Sequence, residues 1–96
     1  MPTLKRHKAF LKDYAHVKLT DTQFEKLISF LALLKEGKEL PAESKDHALK
    51  GNWKDFRECH LGGDVLLVYQ KINDEIVLAR LSTHSFSESE LNELME

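Results

Sequence analysis

The chain has 96 residues, of which 42% are hydrophobic and 31% charged, with a net charge of −2 and one cysteine. These proportions fit a soluble globular protein with a core of its own; they exclude a disordered segment and a disulfide-stapled miniprotein. No stretch approaches the roughly 18 to 20 apolar residues of a membrane span, MPTLKRHKAF has no apolar run of signal-peptide length, and the lone Cys59 has no internal partner, so a reducing cytoplasm is the expected compartment.

A chain of this length is expected to form a single domain over residues 1–96. TLKRH reads as a short first strand. In KAFLKDYAHVK, Phe10, Tyr14 and Val17 recur at helical spacing opposite lysines, which predicts a helix with those three in the core. Residues 1–18 carry Lys5, Arg6, Lys8, Lys12 and Lys18 against Asp13 alone, a basic surface suited to polyanions. The second helix has the clearest signals. Thr20 is the cap, Gln23 completes a capping box, and Leu19 is placed to staple against Phe24. Phe24, Leu27, Ile28, Leu31 and Leu34 give the apolar stripe, and Gly37 is the stop.

ELPAESKDHALKGN follows neither periodicity and reads as a loop, a common home for reactive groups. DFRECHL, VLLVYQK and EIVLARLS are strand-like and are joined at Gly62-Gly63 and Asn73-Asp74. Connections this short make the three strands antiparallel. The expected class is α+β, with the first strand and a helical hairpin packed on an antiparallel sheet. The acidic end SFSESELNELME predicts a short C-terminal helical extension over residues 86–96, with Ser87 as cap, Glu90 at the box position and Phe86 stapling to Leu91. Leu91, Leu94 and Met95 are expected to dock, with the glutamates facing solvent and Phe86 near His84.

Residues two apart on a strand share a face. Arg80, Ser82 and His84 therefore point one way if the last strand runs on to His84, and Phe56, Glu58 and His60 share a face that Cys59 does not. Asp64 begins the central strand across the turn from His60. A convergence of His60, Asp64, Arg80 and His84 follows, with His47 leaning over from the loop. Two histidines supply a proton acceptor and a proton donor near neutrality, an arginine holds a phosphate, and Asp64 or Glu58 orients a ring. That set suffices to cleave RNA through its own 2′-hydroxyl with no cofactor and no metal. Lys45, Lys50 and Lys54 add phosphate contacts. No phosphate-binding loop, dinucleotide fingerprint or HExxH run occurs, and the spacing of the histidines matches no standard zinc signature.

KDHALKGNWKDFRECHLGGDVLLVYQ, followed by LARLSTHS, resembles the YafQ branch of the RelE/ParE superfamily of bacterial toxins. Asp46-His47, Leu49, Gly51, Trp53, Arg57, Glu58, His60, Asp64, Leu67, Tyr69, Arg80 and His84 carry the resemblance, which covers about residues 1–86. It implies a toxin that cleaves messenger RNA in the ribosomal A site, with His47, His60, Asp64 and His84 catalytic. Glu58, Arg80, Phe86, Lys50, Lys54 and Arg57 are then expected at the substrate. The implied partners are a cognate antitoxin, the ribosome with its message, and operator DNA through the antitoxin complex, with no membrane. The family's terminal aromatic is absent: Glu88 holds that position, Phe86 lies two residues earlier, and Ser82 replaces a common glycine. The alternatives are a ParE-like gyrase inhibitor without catalysis, or a degenerate toxin kept for antitoxin and operator binding.

Overall fold

The computed structural model describes residues 2–95. In chain order it forms β1 (Thr3–Arg6), α1 (Lys8–His16), α2 (Asp21–Lys35), β2 (His47–Ala48), β3 (Phe56–Gly62), β4 (Val65–Ile72), β5 (Glu75–Ser82) and α3 (Glu88–Asn92). Among the described residues, no helix is long and apolar enough to cross a membrane. The class is the expected α+β.

Local chemistry sets the helix ends. His7 opens α1 by accepting the Ala9 N–H on Nδ1 at 3.0 Å. Thr20 and Gln23 form the reciprocal capping box on α2, at 3.1 and 2.9 Å, a cap worth about 1 kcal/mol. After α2, the Lys38 N–H returns to the Leu33 carbonyl past Gly37.

The buried face of α2 is rotated from the expected stripe. Leu27, Phe30 and Leu34 are buried, whereas Phe24 and Ile28 are 44% and 51% exposed. Gln23 lies on the same face, where its Nε2 donates to the Gly62 carbonyl at 3.0 Å. Residues 23, 27, 30 and 34 then line up toward the sheet, which moves Phe24 off the core face. Tyr14 is likewise 44% exposed, stacking on buried Phe10 at 5.8 Å. Leu19, expected to staple against Phe24, packs against the core cluster, to which the half-exposed Phe24 does not belong.

The sheet order is β1-β5-β4-β3-β2. The β3–β4–β5 run is antiparallel, as its short turns require. The first strand lies within the sheet instead of packing on it, and it pairs parallel with β5. The stretch read as a loop contributes β2, a two-residue edge strand on β3, and two single 3-10 turns at Ala42–Ser44 and Gly51–Trp53.

One irregularity decides which side chains reach which face. Val68 pairs with Arg80 and Tyr69 with Leu78, leaving Ala79 as an extra residue in β5. This bulge resets the alternation. Ile76, Leu78 and Leu81 all enter the core beneath α1 and α2, together with Cys59, Leu61, Val65, Leu67 and Tyr69. Arg80 and Ser82 therefore emerge on the opposite face, beside Val68 and Leu66. Leu66 and Val68 are buried there without belonging to the main core. Trp53 and Leu91, both buried and lining one shallow cleft, bring the 51–53 turn and α3 to that side.

Two consequences are measurable. Asp13 on α1 accepts from both Nε and Nη2 of Arg80, at 2.7 and 2.8 Å, and from the Leu81 N–H at 3.0 Å. Asp13→Ala strands a guanidinium that is only 7% exposed. With Glu93 still bonded to Nη1, it is expected to cost about 2–3 kcal/mol in urea denaturation, below the roughly 3–5 kcal/mol for a buried charge left with no partner. Cys59 is fully buried and its thiol is pushed up to about 12, chiefly by burial. It is expected to resist maleimide in the native protein and to react once urea unfolds the chain; rapid native labelling would contradict this burial.

Candidate active site

The β3–β4 hairpin turns at Gly62 and Gly63, whose φ angles of +112° and +56° favour glycine. A Cβ on Gly63 would also stand 3.3 Å from the Gln23 side chain. This turn brings Asp64 back toward His60. At the far end, β5 stops at Ser82 instead of running on to His84, and Asp64 sits in the turn, with β4 starting at Val65. Ser82 still orients the histidine. The His84 N–H donates to Ser82 Oγ at 3.3 Å, and the same hydroxyl meets His84 Nδ1 at 3.0 Å. His60, Asp64, Leu66, Thr83 and His84 line one cleft of about 170 Å³. Three of the four expected catalytic residues thus come together, although the strand did not extend as expected.

His84 Nε2 faces α3 and meets Glu90 Oε2 at 3.1 Å. The other oxygen of Glu90 accepts the Ser87 N–H at 3.0 Å and closes the expected capping box. Glu90 is held below the usual carboxylate range, first by that backbone bond and then by His84. Phe86 lies 6.2 Å from the His84 ring, tilted by 42°, and its ring centroid lies 5.4 Å below the Arg80 guanidinium carbon in a cation–π contact.

Arg80 does not point free into the His60–His84 cleft as expected. Asp13 takes its Nε and Nη2, while Nη1 donates to the Glu90 carbonyl at 2.8 Å and to Glu93 Oε2 at 2.7 Å. Asp13 foremost, with Glu93 adding to it, raises the guanidinium pKa against the effect of burial and keeps it charged. Arg80, Ser82 and His84 nonetheless line a neighbouring cleft of about 330 Å³ with Lys12, Asp13 and His16 of α1. The expectation that the tail glutamates face solvent holds only in part for Glu90 and Glu93, which bond to His84 and Arg80 while staying partly exposed. Of the three docking residues, Leu91 is buried and Leu94 partly so, but Met95 is 76% exposed.

The remaining expected residues sit apart. His47, on β2 opposite Glu58, places Nε2 3.5 Å from Glu58 Oε1 and Nδ1 2.7 Å from the Lys45 carbonyl, outside the His60–His84 cleft. Glu58 is thereby a partner of His47, its side chain 13% exposed. Arg57 lies on the helix side of the sheet, where its Nε and Nη2 each bind Asp46 Oδ2 at 3.1 Å. Tyr69 donates to Asp46 Oδ1 at 2.6 Å, its hydroxyl pKa pushed up mainly by burial and then by Asp46. That network pins the start of β2 rather than reaching the histidine cleft. Lys50 and Lys54 are exposed around the 51–53 turn, and Lys50 shares the cleft between Trp53 and Leu91. Sequence reading missed Asp13 and the two glutamates that close on Arg80 and His84. The signal for Asp13 was faint: it is the lone acid in a basic segment.

The sequence profile of the family described as "Bacterial toxin of type II toxin-antitoxin system, YafQ" matches residues 2–87, ending just before α3. The "Putative toxin YafQ" of Haemophilus influenzae is 46% identical over 50 residues, 48% of this chain and 49% of that protein. The "mRNA interferase toxin YafQ" of Escherichia coli K12 is 39% identical over 46 residues, 48% of this chain and 50% of that protein. The chain thus spans about half the length of the curated relatives it matches. In structure, it is similar to a chain of the E. coli DinJ-YafQ complex, with a TM-score of 0.75 at 28% identity over 88% of this chain and 94% of that one. A copper-bound mutant toxin from Helicobacter pylori also gives 0.75, at 39% identity over 95% of this chain and 99% of that one. Among the described residues here, no group of three or more His, Cys, Asp or Glu side chains is arranged to hold a metal ion. His60, Asp64 and His84 line a shared cleft without the geometry of a coordination sphere. The match over residues 2–87 places the chain in the YafQ family of toxins of type II toxin–antitoxin systems.

Proposed function

We propose that this chain is the toxin of a type II toxin–antitoxin pair and acts in the cytoplasm as a ribosome-dependent endoribonuclease. Residues 1–96 form one catalytic unit, with 86–96 an acidic extension. The observation that carries this reading is the single cleft shared by His60, Asp64 and His84, in a chain whose relative in E. coli is named an mRNA interferase toxin.

The chemistry needs no nucleophile from the protein. One imidazole takes the proton from a ribose 2′-hydroxyl, and O2′ attacks the adjacent phosphorus to form a 2′,3′-cyclic phosphate. The P–O5′ bond breaks, and the second imidazole protonates the departing 5′-oxygen. Ser82 on Nδ1 fixes the His84 ring so that Nε2 is its working atom. Asp64 supports His60, and His47 with Glu58 holds message at the sheet edge. Arg80 and Phe86 take a phosphate and a base, while Lys50 and Lys54 dock ribosomal RNA with the basic N-terminal face. Lys12 on that face already lines the cleft that contains His84. The E. coli relative solved with DinJ supports an antitoxin as the resting partner, through which operator DNA is reached.

Replacing His60 or His84 by Ala is expected to lower cleavage of ribosome-bound message by about 10²- to 10⁴-fold and to relieve growth arrest in parallel. Arrest that survives loss of both histidines would instead favour a gyrase-directed, non-catalytic toxin.

Cleavage is expected to persist when the isolated toxin is stripped with chelator before it meets magnesium-containing ribosomes, because acid–base transfer by imidazoles suffices. Stoichiometric metal in the purified protein, with activity lost on its removal, would overturn that expectation.

Charge reversal at Lys8, Lys12 and Lys18 is expected to weaken ribosome binding and flatten its salt dependence, as fewer counterions are released. Unchanged binding would show that this face does not meet RNA.

A further inference from the structure

Arg80 and His84 are both held by one short acidic helix. Glu93 Oε2 sits 2.7 Å from Arg80 Nη1, and Glu90 Oε2 sits 3.1 Å from His84 Nε2. The glutamates are three apart, so they project from one side of the α3 turn toward both side chains at once. We propose that Arg80 Nη1 and His84 Nε2 form an anion subsite for a phosphodiester of the RNA substrate, and that α3 occupies it as an internal mimic which the RNA must displace. The proposal rests on the nuclease reading for the identity of the anion. It concerns occupancy of the subsite, which must be cleared before His84 Nε2 can take part in cutting.

The geometry favours exchange over permanent closure. Asp13 grips Nε and Nη2, so the guanidinium stays aimed when α3 leaves, and only Nη1 changes partner. Phe86 beneath the guanidinium precedes the Ser87 cap, so the ring need not leave with the helix. What would move is slight. The helix has five residues followed by one 3-10 turn, a length that does not hold its fold without packing, and Leu91, at 7% exposed, is the one buried side chain in these described turns. Its carboxylates are substantially exposed, 33% for Glu90 and 42% for Glu93, so water and a competing phosphate reach both. Screened contacts of this kind are individually weak. The basic side chains at the lip, Lys8 and Lys12, line one cleft with Glu93 and favour an arriving polyanion over an empty site.

The test uses the full-length protein and a short single-stranded RNA made uncleavable by 2′-O-methylation, with affinity read by fluorescence anisotropy. Glu90→Gln/Glu93→Gln keeps the size of both side chains and removes their charge. It is expected to bind the RNA roughly three- to tenfold tighter than wild type. A control of equal charge, Glu25→Gln/Glu36→Gln, changes carboxylates on and just beyond α2 and is expected to give a much smaller gain. Equal affinity for wild type and variant, or an equal gain in the control, overturns the proposal. Because the probe cannot be cut, failure here is separable from failure of the nuclease reading. A variant that binds tighter yet leaves ribosomal message intact would sink the latter alone.

Discussion

The Asp13–Arg80 pair is the interaction on which the two sides of this molecule depend. Arg80 is nearly buried on the face of the sheet turned away from the helical hairpin, yet the carboxylate that neutralises it comes from α1. The pair therefore stitches helix to sheet at the point where β1 has already ended; its last partner in β5 is Leu78. A buried guanidinium without such a partner would carry a desolvation penalty of several kcal/mol. Here two forked bonds and the Leu81 N–H on the same carboxylate meet that demand. The cost of burial is offset locally, so the charge can be retained where a merely structural residue would be apolar.

The placement of that arginine rests in turn on the Ala79 bulge. Regular alternation would send Arg80 into the apolar layer beneath the helices, among Leu67, Tyr69 and Leu78. The extra residue turns it outward, and the same shift lets Leu78 and Leu81 both serve the core. Bulges next to sites commonly re-aim a side chain in this way. Fold and site are thus set by one backbone event.

Polar groups are segregated by face. On the helix side, Asp46 gathers Arg57 and Tyr69 into a closed network whose bonds all end within the protein. It fixes the loop that delivers His47. On the other side, His60, Asp64 and His84 are left around a small open cleft, with Ser82 setting one ring. The acidic extension departs most from the family pattern, since the matched region ends where α3 begins. It supplies a buried leucine to the second apolar layer and two carboxylates to the site, so its structural and electrostatic effects cannot be varied entirely apart.

The sequence alone determined whatever depends on short range. The caps at Thr20 and Ser87, the stop at Gly37, the antiparallel β3–β4–β5 run and the inert Cys59 all follow from neighbours within a few residues or from strand parity. So did the meeting of His60, Asp64 and His84, because one tight turn and one strand end bring them together. The run of residues shared with the toxin family was legible for the same reason, being a pattern along the chain. Tertiary structure decided the rest. Which side of α2 faces the sheet was settled by packing across the fold, with Leu27, Phe30 and Leu34 in the core, Gln23 bonded to Gly62 across 39 positions, and Phe24 and Ile28 left half exposed. The parallel docking of β1, the bulge at Ala79 and the capture of Arg80 by Asp13 across 67 positions have no local signature. Charges far apart in sequence find each other only once the sheet has fixed where each must emerge, and that is why the glutamates read as a solvated tail came to rest on the site.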